Sequence, residues 1–225
     1  MNRVFGRNYL GPDEWSDTFG VSVGSPPPLP VELTEALAHS ECPITPGLSI
    51  KDTHLLVLIP AVVGGVPFNA LSLETLCVTE EQKGQKLLYR GFDQWKAHPW
   101  ACQQSATSSW ILLCKHDPAV TDSEGSSNQR HLRGRSLAEQ LEVRKEHFPN
   151  YRDVKTFELM AAVILLSVVT GERLLHNYLL RCEEESSFGG RVCVGFFNLH
   201  GLHLEAHYGT PLGNKHISLA LARIF

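Results

Sequence analysis

Thr53-His54-Leu55-Leu56-Val57-Leu58-Ile59 is the stretch on which the fold turns. Five consecutive apolar residues follow His54, with polar Lys51-Asp52 ahead of the run and Pro60 closing it. A strand wetted on one face alternates with period two; a short run that does not alternate reads as a central strand buried on both faces. Ser109-Trp110-Ile111-Leu112-Leu113-Cys114 is a second run of the same kind. The strongest helix spans about Val154 to Thr170. Phe157, Met160, Ala161, Ile164, Leu165 and Val168 line one side, while Leu159, Val163, Leu166 and Val169 fill the other. A helix apolar all round is a buried one, and Gly171 supplies its stop.

Around this centre the remaining elements are weaker. Leu33 and Leu37 share a face of a helix that starts just after Pro30. Leu71 to Cys77 is a short helix, and Ser136-Leu137-Ala138-Glu139 is a capping box that opens another. The stretch holding Tyr89, Phe92, Trp95 and Trp100 reads as short elements and loop, and residues 118–130 as an exposed loop. Tyr178–Cys182, Val192–Leu199, Leu202–Tyr208 and Ile217–Ile224 read as strands, with His200-Gly201 as a tight turn. No steady βαβ rhythm links these pieces. The predicted class is α+β: a mixed sheet whose apolar central strands pack on a buried helix, with a C-terminal antiparallel hairpin. Residues 1–30, ending in Pro26-Pro27-Pro28-Leu29-Pro30, form a Pro- and Gly-rich lead-in, and residues 31–225 one globular domain. Pro27-Pro28-Leu29-Pro30 has the PxxP form, but no Lys or Arg lies close by to set an SH3 ligand's orientation.

Composition bounds the function. A chain of 225 residues buries about 70% of its unfolded surface, enough for a core without disulfides. A net charge of -4 argues against generic nucleic-acid or anionic-membrane partners. The apolar run from Phe157 to Val169 is too short to cross a bilayer. The six cysteines (42, 77, 102, 114, 182 and 193) have no CxxC spacing and read as mostly buried free thiols of a reducing, cytoplasmic compartment. Basic residues concentrate over 130–155, including Arg133, Arg144 and Arg152. Glu139, Glu142 and Glu146 interleave with them as on a solvated helix face, so an acidic protein partner or a phosphate is the lesser reading.

Two constellations could carry chemistry. His203, Glu205 and His207 are spaced two apart, which puts them on one face of a strand, with Leu202, Leu204, Ala206 and Tyr208 on the other. Two imidazoles and a carboxylate form a ligand set for zinc or iron. A span of about 13 Å along the strand is long for one ion, so two of them with His200 or His216 make the easier site; the competing reading is the wet face of an edge hairpin. Cys114 and His116, at the end of a buried strand and one residue apart, are the candidate nucleophile and base of a cysteine hydrolase or transferase. A core thiol beside a surface histidine is the competing reading. Neither Gly64-Gly65-Val66-Pro67 nor Gly189-Gly190-Arg191 fits a phosphate loop.

Several pieces, read together, suggest kinship. They are Pro28-Leu29-Pro30, Asp52 to Pro60, Gly65-Val66-Pro67, Ser109-Trp110-Ile111-Leu112-Leu113, Thr170-Gly171-Glu172-Arg173-Leu174 and Arg181-Cys182. In these the chain resembles an uncharacterised protein family of amoeba-associated chlamydiae. The chain departs from that pattern at Asn198-Leu199-His200-Gly201-Leu202-His203, where Gly- and Ser-rich residues are usual. The resemblance brings no catalytic residues; it implies an intracellular bacterial setting and delivery into a host cell. The leading expectation is a non-enzymatic interaction or regulatory module with a protein partner, including a host-directed effector, and no cofactor. The alternative is a Cys/His-dependent hydrolase, or an enzyme using one divalent metal at the C-terminal histidine cluster.

Overall fold

The apolar run at residues 54–59 is a strand buried along its whole length. In the computed structural model, which describes residues 6–45, 47–81, 84–103, 107–115, 132–187, 189–207 and 214–223, eleven strands follow one another. They are β1 (Tyr9–Leu10), β2 (His54–Ile59), β3 (Val62–Val63), β4 (Val66–Pro67), β5 (Ser109–Cys114), β6 (Tyr151–Asp153), β7 (Leu179–Glu185), β8 (Arg191–Asn198), β9 (Gly201–His207), β10 (Ile217–Leu219) and β11 (Leu221–Arg223). The α-helices are α1 (Pro12–Phe19), α2 (Val31–His39), α3 (Ile50–Thr53), α4 (Ala70–Glu81), α5 (Pro99–Cys102), α6 (Leu137–His147) and α7 (Thr156–Thr170). The class is α+β.

The two apolar runs pair with each other. β2 and β5 are antiparallel from His54↔Cys114 to Ile59↔Ser109, at the centre of a sheet ordered β1-β2-β5-β11-β6. A second sheet runs β10-β7-β8-β9, with the expected antiparallel hairpin between β8 and β9. Helix α7 explains its all-round apolarity: its residues from Thr156 to Ser167 are buried, in a core shared with β2 residues on one side and β8 residues on the other. It ends at Gly171, φ 77°, as its sequence requires.

The expected strand from Ile217 to Ile224 is divided. β10 joins the second sheet beside β7, and β11 joins the first between β5 and β6. Buried Ala220 is the pivot: its N–H donates to the Arg181 carbonyl at 2.9 Å, and its carbonyl accepts from the Val154 N–H at 3.1 Å. Periodicity sees one apolar strand here because both halves are buried.

The segment read as a lead-in supplies Leu10, Trp15 and Val23 to the main core. The Trp15 indole N–H donates to the Leu58 carbonyl at 2.9 Å. Trp110 likewise donates to the Pro27 carbonyl at 2.9 Å, so the chain's own sheet holds its Pro-rich stretch. The capping box on α6 is present as read, with Glu139 accepting from the Ser136 N–H at 2.7 Å. Two of the basic residues over 130–155 are engaged locally. Arg144 pairs with Asp153 at 3.2 Å, and Arg152 grips Glu158 with two bonds of 2.8 and 3.0 Å. All six cysteines are free, and only Cys102 among them is exposed.

Candidate interaction site at the outer edge of β9

Of the Cys114–His116 pair, His116 lies outside the described residues, and Cys114 ends β5 almost fully buried. The imidazole across the ladder from Cys114 is that of His54. His54 is fully buried, its Nδ1 2.9 Å from Thr53 Oγ1 and its Nε2 3.0 Å from the Tyr151 hydroxyl. Burial, reinforced by Cys114 and Cys42, pushes the Tyr151 phenol well above its usual range. Cys114, Cys42 and Tyr151 belong to a packed core with Leu56, Leu112 and Phe148. This arrangement suits a satisfied interior polar chain. The spacing rule that joined Cys114 to His116 had no means of finding His54, which reaches Cys114 only through strand pairing.

β9 has the predicted alternation. Leu202 and Leu204 are buried and His203, Glu205 and His207 half-exposed. The ladder sets Gly195, Cys193 and Arg191 opposite His203, Glu205 and His207. His203 stacks on Tyr89 with ring centroids 4.0 Å apart and planes 16° apart. Burial holds its pKa below the ordinary imidazole range; Glu205 works against that shift and His200 adds to it. Among the described residues, no three or more His, Cys, Asp or Glu side chains gather in a group able to hold a metal ion. The strand spaces these three ligands along its axis instead of converging them.

The open feature beside them is the edge of β9, the outermost strand of its sheet. At its start the edge is covered. Leu88 forms a parallel bridge with Leu202, the Leu202 N–H donates to the Leu87 carbonyl at 2.9 Å, and the Tyr89 N–H donates to the Leu202 carbonyl at 3.1 Å. That approach needs Gly201: at φ 106° its position has no room for a Cβ, which would stand 2.4 Å from the Leu88 carbonyl carbon. After Tyr89 the chain enters a 3-10 helix, Arg90–Trp95, which stays packed near β9 without continuing the strand pairing. The outward direction of the Leu202 N–H and C=O recurs every second residue, so those of Leu204 and Ala206 point the same way. Among the described residues, neither of these N–H groups donates to a backbone carbonyl outside the sheet.

A cleft of about 720 Å3 opens against this bare edge, lined by Leu204, Glu205 and Ala206 on one side and by Gln94, Trp95, His98 and Pro99 on the other. The aromatic wall is built by tight turns, with His98 N–H donating to the Trp95 carbonyl and Ala101 N–H to the His98 carbonyl, each at 3.0 Å. The Trp95 and His98 rings lie 5.2 Å apart, and Trp100 backs Trp95 at 6.1 Å. Among the described residues, the buried indole nitrogens of Trp95 and Trp100 have no hydrogen-bond partner. The aromatic stretch, read from sequence as short elements and loop, holds the 3-10 helix Arg90–Trp95 and helix α5; its density of rings is the signal that it does more than connect.

No protein family matches the chain. No curated protein and no solved structure does either. The functional reading therefore rests on this geometry.

Proposed function

We propose that the chain is a protein-interaction module that binds a segment of a partner protein along the outer edge of β9. The observation that carries this reading is the outward N–H groups of Leu204 and Ala206, which among the described residues donate to no backbone carbonyl outside the sheet, beside a cleft walled by Trp95 and His98. An uncapped strand edge is a template for another strand: main-chain hydrogen bonds supply affinity and neighbouring pockets read alternate side chains. That no disulfide joins the cysteines supports a reducing compartment for this role. The likeness to the chlamydial family supports a host-directed form of it.

Random peptides displayed on phage and selected against the full chain, followed by hydrogen exchange on the complex, test the reading. Selected peptides are expected to protect the Leu204 and Ala206 amides. Ala206→Pro, which removes an outward N–H and leaves the ladder to β8 intact, is expected to abolish their binding while the circular dichroism spectrum stays native. Peptides that protect other surfaces, or that bind the proline variant as well as the parent, overturn it.

A further inference from the structure

The β9 edge has a built-in preference for the charge of what it binds. In an added strand, the residue directly opposite Glu205 points to the same face as Glu205, and its two neighbours point to the Leu204 and Ala206 face. Leu204 and Ala206 belong to or pack against the main core, as Trp95 does, so those neighbours meet an apolar, aromatic wall. Glu205 is half-exposed and, among the described residues, has no hydrogen-bond or ion-pair partner. Across the ladder it meets Cys193, whose thiol is pushed up to about 12, by burial above all, so that neighbour supplies no compensating charge. The other wall offers uncharged Gln94, Trp95 and Pro99 beside His98. On the same face the nearest cation of the ladder is Arg191, diagonal to Glu205 and opposite His207, and it donates to the Cys182 carbonyl at 3.5 Å. Among the described residues the Glu205 carboxylate thus borders the cleft without an ion pair.

We propose that this cleft takes an extended peptide of the form apolar–basic–apolar, added to β9 as a strand where Leu87–Tyr89 leave off, with its Lys or Arg beside Glu205 and its apolar residues against Trp95 and His98. The inference rests on the interaction reading above and adds the partner's chemistry. Opposite charges directly across a pair stabilise and like charges destabilise by amounts that together correspond to roughly tenfold in affinity.

Two short synthetic peptides test it, one alternating Val with Lys and one alternating Val with Glu, each carrying a fluorophore for anisotropy titration against the full chain. The Val/Lys peptide is expected to bind roughly tenfold more tightly. Glu205→Gln is expected to shrink that ratio to near one, and Glu205→Lys to invert it, with both variants retaining the parent's melting temperature within a few degrees. Equal binding of both peptides, with Ala206→Pro abolishing it, overturns the charge preference and leaves the edge reading standing. Binding insensitive to Ala206→Pro, or no binding by either peptide, overturns both. Concentration-dependent dimerisation that Ala206→Pro removes would make a second copy of the chain the occupant and overturn the peptide proposal.

Discussion

His203 shows how one side chain serves two arrangements. Its ring stacks on Tyr89 at the covered start of the β9 edge, and burial depresses its pKa. A histidine depressed on folding binds its proton more readily in the unfolded chain, so unfolding is favoured as pH falls. The stability it contributes is complete above the unfolded imidazole value of about 6.5 and is lost as pH drops through the lower folded value. Urea midpoints measured between pH 7 and pH 5 should therefore fall, and His203→Gln should flatten that slope. Glu184 has the opposite sign: burial raises its carboxyl, so its contribution favours the folded state at low pH and fades as pH rises through its folded value. That window belongs to the carboxyl range and lies toward the acid end of the scan. The alternation of β9 made His203's face readable in the sequence. Its partner was not readable, because Tyr89 arrives from a distant segment that crosses only at Gly201.

At the scale of elements, legibility followed burial. β2, β5 and α7 were plain because residues with water on no side leave an unbroken apolar run, and the α6 start was plain because a capping box is a local bond pattern. The cleft was not legible. Its walls, the turns at 94–99 and the edge of β9, each look like ordinary loop and ordinary hairpin until pairing between Leu88 and Leu202 sets them side by side. The same crossing gives a sharp element-level prediction. Gly201→Ala places a methyl 2.4 Å from the Leu88 backbone at a positive φ, and both the clash and the conformation are unfavourable. The expected cost is about 2 kcal/mol or more in urea unfolding. The Tyr89 and Leu202 amides should also lose protection in hydrogen exchange while β2 and β5 keep theirs.

Across the whole molecule, two sheets share one helix. Leu165 is fully buried in α7, in a core that holds residues of β2 and β5 together with residues of β7, β8 and β9. Leu165→Ala should lower stability by about 2–5 kcal/mol. Exchange protection of β2 and β8 amides should fall together in a single transition; two separated transitions would show that the sheets are independent folding units. The division at Ala220 carries a further consequence, in the time order of synthesis. β11 stands between β5 and β6 in the first sheet, and β10 is the edge partner of β7 in the second. A ribosome that has delivered every earlier strand still holds a chain in which β6 has no neighbour to join it to β5. The first sheet therefore stays split until β11 has left the exit tunnel, whereas β7, β8 and β9 can pair before β10 is added at their edge.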